Sequence, residues 1–285
     1  MRDNLKSNFI IILNGFIIGS SMGVPGISGG TMAIILGIYD KLINSISHFL
    51  CDIRGNIIFL LKFIIGAGVG ISSLAFVIQW LLEKFPFHVS FFFLGAVFGG
   101  IPALYKKTKK SVIKISSLVY CLSGFIIVIS IGLIPTGNIN IVSGSGLAHY
   151  LMLLLTGIII SLALLLPGIS TSHMLLILGM YDTTLSAITK FDIVYVGILG
   201  ISTMIGILLI IKPIEWTLNR FTYQTYYTII GFVLGSTVEI FRYKILTAIP
   251  VDADTTWWIS SIVFSIVIFV IGFRGISSLA RFSND

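Results

Sequence analysis

Long apolar runs broken by short polar interruptions dominate the chain. Runs long enough to form helices lie at about 7–24, 57–82, 89–105, 115–134, 148–166, 193–213, 227–241 and 257–273. A helix needs about 17–25 predominantly apolar residues to cross the hydrocarbon core, so this pattern predicts a polytopic helical protein. Two further apolar pieces, Met32–Ile38 and Met174–Met180, are too short to cross alone. Each follows a Pro-Gly pair, Pro25-Gly26 and Pro167-Gly168, that ends the run before it. Such a break predicts a re-entrant hairpin, or a helix interrupted at membrane depth. Irregular backbone is tolerated there only when buried in protein or facing a water-filled cavity.

The pattern occurs twice. The stretch Pro25-Gly26-Ile27-Ser28 with Gly37-Ile38-Tyr39-Asp40 matches Pro167-Gly168-Ile169-Ser170 with Gly179-Met180-Tyr181-Asp182, 142 positions on. Farther along, Trp80, Leu82, Lys84 and Phe85 match Trp216, Leu218, Arg220 and Phe221, and Gly95 and Gly99 match Gly231 and Gly235, all 136 positions on. Leu and Ile agree by chance in any apolar sequence, but Pro, Gly, Tyr, Asp and Trp in register indicate an internal duplication. Repeat 1 then covers about 7–134 and repeat 2 about 148–273, within a single membrane domain spanning 1–285. Each repeat holds one hairpin, with no net crossing, and three spans. Three is odd, so the second repeat enters from the opposite face. The expected fold is all-α, with two inverted repeats, each a broken hairpin plus three transmembrane helices, as in many secondary transporters. The basic, apolar N-terminus resembles a signal peptide, but the duplication assigns it to the fold.

Composition narrows the class further. Of 285 residues, 56% are hydrophobic and 10% charged, with a mean hydropathy of +1.06. Soluble domains carry about 25% charged residues, so a soluble enzyme, a nucleic-acid-binding protein and a disordered regulator are excluded. Cys51 and Cys121 are too few for a disulfide framework or metal site and read as small apolar fillers. The net charge of +7 matters through its placement. Lys106, Lys107, Lys109 and Lys110 place their loop in the cytoplasm, whereas the stretch 135–146 has no Lys or Arg and reads as external. Counting outwards puts both termini in the cytoplasm, leaving Lys84, Lys190, Arg242 and Lys244 outside as a minority.

The candidate chemistry lies at the hairpins. Each break is followed by small and hydroxyl residues at the start of a short helix: Ser28, Gly29, Gly30 and Thr31, then Ser170, Thr171, Ser172 and His173. Unpaired backbone N–H groups, the positive end of the helix dipole and hydroxyl donors suit an oxyanion such as phosphate or carboxylate. Pro25, Gly26, Pro167 and Gly168 shape the hairpins. Asp40, Asp182 and Glu239 are candidates for coupling or gating, since an intramembrane carboxylate is a functional suspect by default. Lys62 and Lys212 read as snorkelling side chains. No catalytic residue, metal ligand set or cofactor motif stands out, and no nucleotide-binding loop is present.

These two motifs resemble the signature of the bacterial undecaprenyl-phosphate (polyprenyl-phosphate) translocase family, and the resemblance covers nearly the whole chain. It implies a flippase in the bacterial cytoplasmic membrane. The C55 lipid phosphate would return from the outer to the inner leaflet for reuse in cell-envelope synthesis. Undecaprenyl phosphate is the implied partner, and coupling to a proton or other ion and a homodimer stay open. Thr171 and His173 depart from the first copy's Gly-Gly-Thr, so the two half-sites need not bind equally. A secondary transporter of a small soluble anion is the main alternative. Undecaprenyl-diphosphate phosphatases share Pro-Gly-x-Ser but continue Arg-Ser, and neither motif here contains the Arg that clamps a diphosphate.

Overall fold

The structure, a computed structural model, describes residues 2–22, 28–108, 114–135, 147–250 and 254–284. Pro25 and Gly26 fall outside the described residues, as do Lys109, Lys110 and most of the expected external loop. The described residues are helical, with no strand among them. Helix α1 (Arg2–Met22) leads into the short α2 (Gly29–Ile35) and α3 (Tyr39–Ser47), followed by α4 (Ile53–Lys84), α5 (Pro86–Lys107) and α6 (Ile115–Gly132). The same succession of one long helix, two short and three long returns in α7 (Leu147–Leu165), α8 (Thr171–Ile177), α9 (Tyr181–Thr189), α10 (Ile193–Arg220), α11 (Thr222–Ile240) and α12 (Thr255–Asn284). A π turn, Phe241–Ile245, follows α11.

The shared Gly-x-Tyr-Asp has a local cause. Gly37 and Gly179 adopt φ of 72° and 67°, a region that costs a residue with a Cβ. Around them the Ile38 N–H reaches the Ala33 carbonyl and the Gly37 N–H reaches Ile34, while Met180 and Gly179 bond Leu175 and Leu176 in the same way. Each is a Schellman cap, which ends the short helix and turns the chain straight into the next one. Hydropathy alone does not reveal α3 and α9, because these helices are short and mix polar with apolar positions.

Four helix pairs hold the bundle, each with glycines where backbones meet. On α1, Gly15 and Gly19 lie against the backbone of Phe63 and Ala67 of α4, whose Gly66 and Gly70 lie against Ile12 and Phe16. In the second half α7 and α10 pair through Gly157 and Gly206. The remaining pairs cross between halves: α5 packs on α12 through Gly95, Gly99 and Gly272, and α6 on α11 through Gly124 and Gly231. Lipid tails are as apolar as leucine, so close van der Waals packing of small residues drives such pairing. Each half lends its last long helix to the middle helix of the other.

Five helices among the described residues are long and apolar enough to cross a membrane: α4, α5, α6, α10 and α12. In α5 the apolar window is 56% buried, against 17–22% in the other four, so α5 is internal and the others face outward. Helix α11 is also internal, with Tyr226, Tyr227, Ser236, Thr237 and Glu239 buried. Its protein-facing polar residues lower its hydropathy. Cys51 corrects an expectation, since it is exposed in the turn before α4 rather than packed as a filler.

Candidate hairpin site

Pro167 determines the geometry at the centre of the molecule. It has no N–H to donate and cannot continue α7, so the last carbonyls of that helix need other partners. The first hairpin supplies them. The Tyr39 hydroxyl donates to the Leu165 carbonyl at 2.8 Å, and the Ser28 hydroxyl donates to the Leu166 carbonyl at 3.4 Å. In return the Gly168 N–H donates to Thr31 Oγ1 at 2.8 Å. Gly30 lies so close that a Cβ there would sit 3.4 Å from the Leu164 and Leu165 carbonyl oxygens and the Pro167 nitrogen. The two repeated motifs therefore meet, the tip of the first seated in the break of the second.

The second tip has a different environment. Ser170 Oγ accepts from the His173 N–H at 3.4 Å and caps α8, whereas Ser28 makes no such cap for α2. Thr171, Ser172 and His173 remain partly exposed, while Gly30 and Thr31 are buried. The His173 imidazole hydrogen-bonds the Ile131 carbonyl in the last turn of α6. Glu239, 9% exposed, packs its carboxylate against Gly132 in that same turn, just before the π turn. The second tip and Glu239 thus converge on the end of α6.

Asp40 is held away from the tips. Its carboxylate accepts from Lys107 Nζ at 2.5 Å and from the Tyr226 hydroxyl at 2.7 Å, tying α3 to α5 and α11. These groups line a cavity of about 780 Å³ together with Lys41, Lys106 and Glu215. Glu215 contacts Ser47 and lies 3.2 Å from His48. Asp182, at the matching position, is exposed at the start of α9. Lys62 bonds Asn8 at 2.8 Å across the α1–α4 contact. The structure therefore brings together Ser28, Gly30, Thr31, Pro167 and Gly168, while Asp40, Asp182 and Glu239 lie apart from that contact.

In the sequence Tyr39 stands out only as a landmark and Lys107 only as part of the charged run that sets topology, and Tyr226 does not stand out at all. The repetition of Tyr beside Asp is a signal for Tyr39. That Tyr226 and Lys107, from other helices, meet Asp40 has no local signal.

Residues 18–258 match the family model described as VCA0040-like, undecaprenyl phosphate translocase-like. A protein named polyprenyl-phosphate transporter from Vibrio cholerae serotype O1 is 30% identical over 246 residues, 81% of this chain and 77% of its own. A protein of the same name from Staphylococcus aureus is 33% identical, covering 97% of this chain and 98% of its own. No solved structure matches.

Proposed function

Since the chain belongs to the undecaprenyl phosphate translocase-like family, we propose that it carries undecaprenyl phosphate from the outer to the inner leaflet of the bacterial cytoplasmic membrane. It does so by alternating access, without chemical conversion, and returns the carrier for cell-envelope synthesis. The observation that carries this reading is the meeting of the two hairpin motifs at the Pro167 break. Two relatives named as polyprenyl-phosphate transporters point the same way.

The physical problem is the headgroup. An unpaired charge in hydrocarbon costs many kcal/mol, so a lipid phosphate does not cross unaided. The hairpin tips replace its water with backbone N–H groups and hydroxyls: Ser28, Gly29, Gly30 and Thr31 on one side, Ser170, Thr171, Ser172 and His173 on the other. In the described conformation the second half-site is partly open and the first is closed. Closure consists of three hydrogen bonds, from Tyr39, Ser28 and Gly168. Each contributes about 0.5–1.5 kcal/mol net. Hydrogen bonds to a charged phosphate are roughly twice as strong. A phosphate arriving at the tips therefore competes for the same donors, which parts the hairpins. With the two repeats inverted, each tip serves one side of the membrane.

The Asp40 cluster is the cytoplasmic gate in this scheme, on the side where the positive loops place it. Lys107 releases Asp40 as the headgroup arrives. Glu239 is the group we assign to ion coupling, because it is a buried carboxylate beside the contact between α6 and the second tip.

The test is leaflet distribution of labelled undecaprenyl phosphate in liposomes containing the purified protein. Faster equilibration than in empty liposomes is expected, and no acceleration overturns the reading. Ser28→Ala combined with Ser170→Ala is expected to impair transport while leaving expression and folding intact. Unchanged transport in that double variant would remove the hairpins as the site.

A further inference from the structure

Two lateral cavities remain outside the scheme above. The first, about 660 Å³, lies between α1, α4, α5 and α12 and reaches Met32 of the first hairpin, with Phe92 and Ile271 exposed along it. The second, about 550 Å³, lies between α6, α10 and α11 and reaches Tyr39, Leu166 and Pro167 at the hairpin contact.

The two occupy the same place in the duplicated sequence. Leu81, Val89, Phe92 and Ala96 line the first. The residues 136 positions on, Thr217, Thr225, Thr228 and Phe232, line the second. This is the spacing that aligns Trp80 with Trp216, a match independent of any cavity. The helices around them correspond as well, α4 with α10, α5 with α11 and α12 with α6.

The threonines do not make the second cavity a polar site. Thr217 donates its hydroxyl to the Pro213 carbonyl at 2.7 Å, Thr225 to Phe221 at 2.8 Å and Thr228 to Gln224 at 3.0 Å. A hydroxyl spent on its own helix presents mainly its methyl group and one acceptor to the space beside it.

Resting on the reading that the substrate is a polyprenyl phosphate, we infer that these cavities are paired berths for its isoprenoid tail, one opening to each leaflet. Each runs from the lipid-facing surface to a hairpin where the headgroup is held. Each is walled by hydrocarbon, so a tail can follow its headgroup without leaving an apolar surrounding. The inverted relation of the halves puts the openings in opposite leaflets. A tail moves from one berth to the other as the headgroup changes tips.

Photo-crosslinking tests this in proteoliposomes of phosphatidylethanolamine and phosphatidylglycerol. Phe92 and Thr228 are each replaced by p-benzoylphenylalanine, with Val263, 59% exposed on α12, as the control. Radiolabelled undecaprenyl phosphate is expected to label positions 92 and 228 about tenfold more than 263, a preference of about 1.4 kcal/mol. Excess unlabelled undecaprenyl phosphate should abolish that labelling, and added phosphatidylglycerol should not. Equal labelling at all three positions, or displacement by phosphatidylglycerol, means ordinary lipid fills the cavities and overturns the inference. Wild-type protein is assayed for flipping in the same vesicles. Failure there strikes the transport reading itself, whereas normal flipping with unselective labelling removes only the tail berths. As a second variant, Ala96→Phe copies the bulk of Phe232 into the first cavity. It is expected to slow flipping about tenfold, the effect of about 1.4 kcal/mol of obstruction, within the usual cost of overpacking. Unchanged flipping by a folded Ala96→Phe protein counts against the first berth.

Discussion

Gly29, Gly30 and Thr31 of the first hairpin stand where the second has Thr171, Ser172 and His173. Thr31 is 2% exposed and bonded to Gly168, while all three residues of the second tip keep exposed surface. Gly30 lies at that contact, while Gly29 faces Met22 of its own half. At Gly30 a Cβ would already touch backbone atoms of the other half at 3.4 Å, so a side chain longer than a methyl group would meet the Pro167 break. Thr171 and Ser172 carry side chains that extend beyond a Cβ. Two copies of one motif thus do different work, one closing a contact and the other presenting donors.

Breaking the closed side at its backbone is the most damaging change. Gly168 has φ of 82°, and a Cβ there would sit 2.5 Å from the Phe232 carbonyl oxygen. Strain at such a position costs about 1–3 kcal/mol before the clash is counted. Gly168→Ala is expected to lower the unfolding temperature in detergent more than the loss of any single side-chain hydrogen bond between the hairpins. Next comes Tyr39→Phe, which leaves the buried Leu165 carbonyl without its donor at a cost of about 1–3 kcal/mol. Tyr181→Phe, at the matching and partly exposed position, should cost under about 0.5 kcal/mol, as surface changes usually do. Equal losses from the two tyrosines would erase the asymmetry.

Exchanging the residues that set the contrast sharpens it. Gly30→Ser should open the first tip at a cost of about 1 kcal/mol, comparable with mild overpacking. It should also raise the reactivity of a cysteine placed at Ser28. Ser172→Gly should leave the second tip as reactive as before, because residue 172 is already partly exposed. The smallest stability effect is expected at the Asp40 cluster. Lys107→Ala removes a partly exposed ion pair worth about 0.2–1 kcal/mol, yet it should change the flipping rate, because that pair and the Tyr226 bond to the same carboxylate tie three helices together.

Much of this was legible in the residues. The apolar runs located every long helix, because lipid imposes a length that the chain must meet, but they ended α10 at 213 and α12 at 273, short of Arg220 and Asn284, where the polar last turns carry no hydropathy signal. The helix pairing across halves was not legible, although the glycines that enable it were visible in the repeat. A glycine shows that something comes close but not what. The tips were found from hydroxyls and glycines, but the sequence made them look equivalent. Which hydroxyl of Ser28 or Ser170 caps its own helix and which serves the other half depends on contacts 138 residues away.

Parting of the hairpins is the step on which the account stands, and it can be blocked directly. Ser28 and Leu166 touch across the contact. In a background lacking Cys51 and Cys121, Ser28→Cys with Leu166→Cys joined by a short bifunctional thiol reagent should fix the first tip in place. Flipping of undecaprenyl phosphate in liposomes is predicted to stop on cross-linking and to return, on cleavage of the linker, to the rate of the double variant before cross-linking, while the same reagent leaves each single variant's rate unchanged. Undiminished flipping with the hairpins joined would contradict the account.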